Sequence, residues 1–243
     1  MVFRQFLHAS PVAASYLFGC GGQGLCVVVD PVQDIDLYRQ VSHDTGMRIA
    51  QVIDTHVHAD HISGGRHLAE VVGAAYRVHE SVGVRGSQPI KDGDELVVGN
   101  VAIQILHTPG HTPEHVCLLV TDRTRGVDPW FVLTGHTLMV GDMGRTELAS
   151  AAMEGAQALF ESAVRLRALP DYLEVWPGAF AGSVCGRGLS GKPATTIGFE
   201  RRFNQAFRTE DREVFVQRML MNIPPPPPDA AAIRAANLGV LLD

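Results

Sequence analysis

The sequence predicts an α+β fold, on two observations. Apolar, β-branched runs of strand length recur between stretches with helical spacing throughout the chain. Three separate histidine-bearing segments each follow one of the predicted strands. Loops at strand ends that carry such side chains are the arrangement expected of ligands converging on one edge of a sheet sandwich. With 243 residues, 46% hydrophobic and 19% charged, the chain suits one large domain over 1–243 that builds its core without disulfide staples.

Taken in order, residues 1–10 carry Arg4 and His8 and lead into no long apolar run, so no secretory signal is expected. The glycine-rich stretch 19–24 precedes a strand instead of joining a strand to a helix, which fits a tight turn and not a dinucleotide-binding loop. Residues 25–29 are a buried strand ended by Asp30-Pro31, and 34–43 have helical spacing. A strand over 48–54 delivers the chain into the first histidine cluster, after which Gly64-Gly65 opens a helical stretch to Val72. Residues 96–103 place two apolar runs around Gly99-Asn100, a hairpin signal. Strands follow at 116–120 and 130–133, and 149–169 is the longest helical candidate, ended by Pro170. The remainder is expected to be helical except 224–228, whose five prolines predict a stiff extended connector before a short C-terminal helix.

Composition also excludes partners. A formal charge of −6 argues against nucleic acid and against anionic membrane surfaces, both of which require a basic face. No window approaches the roughly 18 uninterrupted apolar residues that a membrane span requires. Cys20, Cys26, Cys117 and Cys185 include no C-x-x-C pair and do not form a disulfide framework, so the reducing cytoplasm is the expected compartment.

The chemistry concentrates in Thr55-His56-Val57-His58-Ala59-Asp60-His61, four potential metal ligands within six residues at a strand end. Imidazole nitrogens and a carboxylate suit zinc, iron or manganese. The segment from His107 to His115 contains Thr108-Pro109-Gly110-His111-Thr112, where Pro-Gly marks a tight turn holding His111 at the end of the hairpin's second strand. A third strand leads into Thr134-Gly135-His136-Thr137-Leu138.

T-H-x-H-x-D-H, then T-P-G-H-T, then T-G-x-T-L followed by G-R-T resembles the metallo-β-lactamase superfamily. Gly141 to Thr146 and the late Gly182-Ser183-Val184-Cys185-Gly186 are more similar to its persulfide dioxygenase branch than to glyoxalase II or the true β-lactamases. The resemblance runs from about Phe6 to Leu238. It implies an αββα sandwich with metal at the strand ends and, for the branch, one non-haem iron(II) held by two histidines and one aspartate. Carried over by motif, the ligands are His56, His111 and His136, so a histidine stands where the family has aspartate and the site is one unit more positive. Ala179 occupies the place of the late histidine that serves a second metal in hydrolytic members. Only Asp60 and His61 then remain for a second ion, and a mononuclear site is expected.

In this reading His58, Asp60 and His61 orient ligands or move protons. Arg145 resembles the family arginine that meets a glutathione carboxylate, with a structural ion pair as the bland alternative. His115 is off-pattern and is expected at the surface or behind a ligand. His67 and His79 are taken as packing residues in or near helices, and Cys185 as a residue of the pocket rim, structural or sensitive to persulfide. Arg201-Arg202 and the stretch 165–167 are read as solvated helix faces. The implied reaction is oxidation of glutathione persulfide, or a similar persulfide, by dioxygen to sulfite and thiol, in a homodimer. The alternatives are a zinc-dependent thioester or lactone hydrolase of glyoxalase II type and a metal-binding protein of low turnover.

Overall fold

The structure, a computed structural model, describes residues 1–223 and 225–240. Its first half opens with the strands β1 (Val2–Ala9), β2 (Val12–Cys20) and β3 (Leu25–Val29). Helix α1 (Asp36–Asp44), strand β4 (Arg48–Ile53), helix α2 (Gly65–Val72) and strands β5 (Ala75–His79) and β6 (Gln88–Ile90) follow. The six strands form one sheet in chain order, antiparallel up to β3 and parallel from β3 to β6.

A second sheet begins with β7 (Glu95–Val98), β8 (Val101–His107), β9 (Val116–Asp122) and β10 (Phe131–Gly135). After the small hairpin β11 (Leu138–Met139) and β12 (Asp142–Met143) comes the long helix α3 (Ala152–Arg167). Strands β13 (Glu174–Pro177) and β14 (Thr195–Thr196) then complete the sheet in the order β14-β13-β10-β9-β8-β7. Helices α4 (Ile197–Phe203), α5 (Arg212–Leu220) and α6 (Ala230–Leu238) close the described chain.

Side chains alternate across each strand, and in the inner strands both faces are apolar. Tyr16, Phe18, Val27 and Val29 face Ile103, Ile105, Leu118 and Val120 between the two sheets. Their neighbours Leu17, Cys26 and Val28 face outward onto Tyr38 of α1 and Leu68 of α2. On the far side Cys117, Leu119 and Val132 meet Leu159, Ala163 and Leu166 of α3 together with Phe215 of α5. Helices therefore cover both outer faces of two packed sheets, which is the expected αββα sandwich.

The predicted strands and helices of the first 169 residues appear with shifts of a few residues at their ends, and the glycine-rich stretch contains the short 3-10 turn Gly21–Gln23. Two expectations are corrected and one element is added. The N-terminal residues form the edge hairpin β1–β2, which sequence reading did not assign. The region after Pro170 is not helical throughout, because β13 pairs in parallel with β10 and extends the second sheet. His79 ends β5, where its ring stacks on His107 at 4.3 Å, and is not helical. Of the proline connector, Pro224 lies outside the described residues; 225–228 have neither helix nor strand, and α6 follows.

Candidate metal centre

Three strand ends on one edge of the sandwich, those of β4, β8 and β10, supply the histidines. After β4 the chain turns sharply because Asp30, at the end of the neighbouring β3, accepts the Thr55 N–H at 2.7 Å and its hydroxyl at 2.8 Å. The Thr55 hydroxyl proton is thereby committed, so its oxygen accepts from His56 Nδ1 at 2.9 Å. That bond fixes the tautomer and leaves the Nε2 lone pair of His56 buried with no partner.

His111 follows the same logic. Its Nδ1 lies 2.8 Å from the Arg145 carbonyl, which can only accept, so Nε2 carries the lone pair. Gly110, at φ +145°, permits the approach: a Cβ there would stand 2.5 Å from the Leu159 backbone of α3. His136 Nδ1 lies 3.3 Å from His111 Nε2. Ring centroids of His56, His111 and His136 are 4.7 to 5.0 Å apart, nearly an equilateral triangle, and their ligand atoms all fall within 4.8 Å of one another. All three side chains are buried.

Burial and neighbouring imidazoles hold His56 well below the ordinary histidine range. Burial first, then His136, pushes His111 down to about 3, and burial lowers His136 as well. Three imidazoles with lowered pKa values and ligand atoms within 4.8 Å of one another, one lone pair being orphaned in a dry interior, form a donor set that fits a divalent transition metal.

His115 is not at the surface. It is fully buried and stacks on His56 with centroids 5.0 Å apart. Its Nε2 accepts the His136 backbone N–H at 3.0 Å, so its Nδ1 donates toward Thr137 and Thr108 at 3.0 and 3.1 Å. Gly135, at φ +47°, makes room for this contact, since a Cβ would lie 2.5 Å from His115 Nε2. Both nitrogens of His115 are thus committed to holding the loop that carries His136.

The other residues of the first motif lie beside the triad. His58 points its Nε2 at Asp30, 3.4 Å away, and its Nδ1 lies 3.8 Å from Asp60. Burial alone would lower its pKa, but Asp30, Asp60 and Asp54 outweigh it and the ring is pushed up to about 9. Asp60 accepts from His61 Nδ1 at 3.0 Å, and the other Asp60 oxygen and His61 Nε2 are buried without partners. The attraction of His61, His136 and His58 overrides burial and holds the Asp60 carboxyl far below the usual range.

Cys185, 1% exposed, is not on a pocket rim: its sulfur groups with donor atoms of Asp60 and His136 within 4.8 Å. Asp60 and His61 are therefore not the only donors near a second position. The glycine-rich loop around Cys185 was visible in the sequence, but its return to the β4 loop was not. Arg145 is buried, 3% exposed, and is paired with Glu147; its Nη1 donates to the carbonyls of Val184 and Pro225 at 3.0 and 3.1 Å. Of the other arginines singled out, Arg202 is exposed as read, whereas Arg165, Arg167 and Arg201 are ties more than solvated faces. Arg165 bonds Asp92 and the His107 carbonyl, Arg167 the carbonyls of Phe207 and Thr209, and Arg201 those of Arg167 and Leu169.

An αββα sandwich with a buried histidine triad at one edge defines a class of metal-site proteins. The signature of the metallo-beta-lactamase superfamily matches residues 12–178, and the chain belongs to that family of metal-dependent enzymes. Within it, the crystal structure titled ETHE1 from Myxococcus xanthus is 31% identical, with a TM-score of 0.84 over 99% of this chain and 100% of that one. A metallo-beta-lactamase from Staphylococcus aureus is 32% identical, with a TM-score of 0.92 over 99% of this chain and 73% of that one. The mitochondrial persulfide dioxygenase ETHE1 of Bos taurus is 26% identical over 93% of this chain and 84% of its own length.

Proposed function

We propose that the chain is a persulfide dioxygenase-like enzyme with one iron(II) held by His56, His111 and His136. The observation that supports this most strongly is the triangle of neutral imidazoles, supplied by the three segments that match the family's ligand motifs. The resemblance to persulfide dioxygenases across nearly the whole chain selects the chemistry. Glutathione persulfide, or a similar small persulfide, with dioxygen and water would give thiol, sulfite and two protons. The terminal sulfur gains three oxygen atoms and its bond to the other sulfur breaks.

When bound, iron supplies coordination positions at which sulfur and dioxygen meet. This chain's residues do the rest. Thr55 and the Arg145 carbonyl fix which nitrogens of His56 and His111 face inward, and His115 sets the backbone of His136. The extra positive charge left by histidine in place of aspartate favours an anionic persulfide sulfur. His61, held by the Asp60 carboxylate through one bond and with its Nε2 buried without a partner, is placed to take up and pass on a proton released. Burial of the whole group keeps bulk water away. The proposed partners are the persulfide and dioxygen, and a homodimer rests on the family resemblance.

The test combines elemental analysis of anaerobically purified protein with oxygen uptake on glutathione persulfide. One iron per chain and stoichiometric sulfite are expected. Two tightly held ions, or thioester hydrolysis without oxygen uptake, would move the glyoxalase II-type zinc reading ahead.

A further inference from the structure

Helix α6 is absent from every step above, yet it returns to the metal loop. Residues 57–62 have no regular structure. Among the described residues, every hydrogen bond made by their backbone goes to Glu114, Arg234 or Asn237. Asn237 Nδ2 donates to the carbonyls of His58 and His61, both at 2.9 Å, and its Oδ1 accepts the Ser63 N–H at 3.0 Å. Both donors and the acceptor of one carboxamide thus act on six residues lying more than 170 positions earlier in the chain. One turn before it, Arg234 donates to the Val57 carbonyl at 2.9 Å and lies 3.4 Å from Glu114, which itself accepts the Val57 N–H at 3.0 Å. Arg66 in turn donates to the Asn237 carbonyl at 3.2 Å.

We propose that Asn237 is a positioning residue of the metal centre, fixing the backbone of residues 58–63 so that Asp60 stays against His136 and His61 against Asp60. The inference rests on the metal-centre reading. A loop whose backbone makes no internal hydrogen bonds has many states of similar energy, and burying unpaired carbonyls is costly. One carboxamide that satisfies two carbonyls and an N–H together selects a single state. No other polar side chain of the described residues bonds the carbonyls of His58 and His61. Without the amide, the loop that leads out of His56 is free to shift, and the geometry around the triad loosens.

The experiment loads full-length protein with Zn(II) alone, and separately with Fe(II) alone under anaerobic conditions, and follows metal loss to an excess of chelator. Asn237→Asp is nearly isosteric and keeps the acceptor for Ser63 but loses both donations; Asn237→Ala loses all three bonds. Both should release metal at least about tenfold faster than the unaltered protein, within the roughly 10–100-fold cost of losing a partner that supports a ligand. Leu166→Ala, on α3 in the core cluster against the second sheet, a cluster that contains no residue of α6, serves as a variant of lowered Tm that should not shed metal faster. Metal loss from both Asn237 variants at the unaltered rate, or no faster than from Leu166→Ala at equal loss of Tm, overturns the inference. His56→Ala separates this from the underlying reading. If that variant keeps its metal, the triad itself is wrong and the inference falls with it. If it is emptied while both Asn237 variants stay loaded, this inference alone fails.

Discussion

His56 and His58 stand two residues apart in one motif and occupy opposite electrostatic surroundings. His56 is packed among imidazoles, with His58, His111, His115 and His136 all within about 5 Å between ring centroids. His58 is turned toward carboxylates, those of Asp30, Asp54 and Asp60. The same desolvation acts on both, and the neighbours decide the outcome: one ring is neutral with a free lone pair, the other a cation with its pKa near 9. A histidine that carries a proton on both nitrogens cannot ligate a metal. Membership of a ligand motif therefore does not assign a role; the residues facing the ring from β3 and β4 do.

The largest test of that contrast is substitution by alanine. His56→Ala or His111→Ala should cost more metal affinity than the roughly 10–100-fold typical of a lost supporting partner, whereas His58→Ala should stay within that range. Equal emptying of the His56 and His58 variants, by elemental analysis after chelation, would erase the distinction. Next in size is position 136. His136→Asp should keep one iron and oxygen uptake with glutathione persulfide, because it restores two histidines and a carboxylate. His136→Ala should lose most of both. An alanine variant as active as the unaltered protein would remove His136 from the ligand set.

The parts of this contrast that sequence exposes are the local ones. Strands buried on both faces, such as Leu25–Val29 and the Val116 to Val120 part of β9, are unbroken apolar runs and stand out without neighbours. Edge strand β1 mixes Arg4, Gln5 and His8 with half-buried apolar residues, and β13 is four residues ending in Pro177. Each is a strand chiefly because a partner strand is there to pair with it, which tertiary context decides. The three triad histidines were legible because each lies in the loop after a strand within a recognisable motif. The direction of His58 toward Asp30, the burial of His115, the approach of Cys185 and the return of Asn237 were not. All depend on contacts between segments tens to hundreds of residues apart.

A smaller effect sharpens the line between a ligand and the residue behind it. His115→Ala would leave the His136 N–H unpaired in a dry interior and open space beside the His56 ring. It should lower stability by about 2 kcal/mol. Metal affinity should fall by less than in His111→Ala. Denaturant unfolding and chelator competition on the same preparations check both halves, and equal metal loss at 115 and 111 would make His115 a ligand after all.

The smallest effect is the pH response of metal-free protein, which isolates His58. Its pKa is raised from the ordinary 6.5 to about 9 on folding. A group that holds its proton more tightly when folded stabilises the fold fully below its unfolded pKa, and that contribution is lost as pH rises through the folded value. The window is therefore pH 6.5 to 9, and stability should decline across it. Asp30 is the carboxylate 3.4 Å from the ring's Nε2, so Asp30→Asn should flatten the decline even though it lowers stability at every pH, because Thr55 also depends on that carboxylate. The measurement is Tm against pH for metal-free forms of both proteins, compared by slope and not by height. If the two slopes coincide, His58 does not carry its extra proton, and the division between neutral His56 and cationic His58 must be drawn by direction of the ring alone.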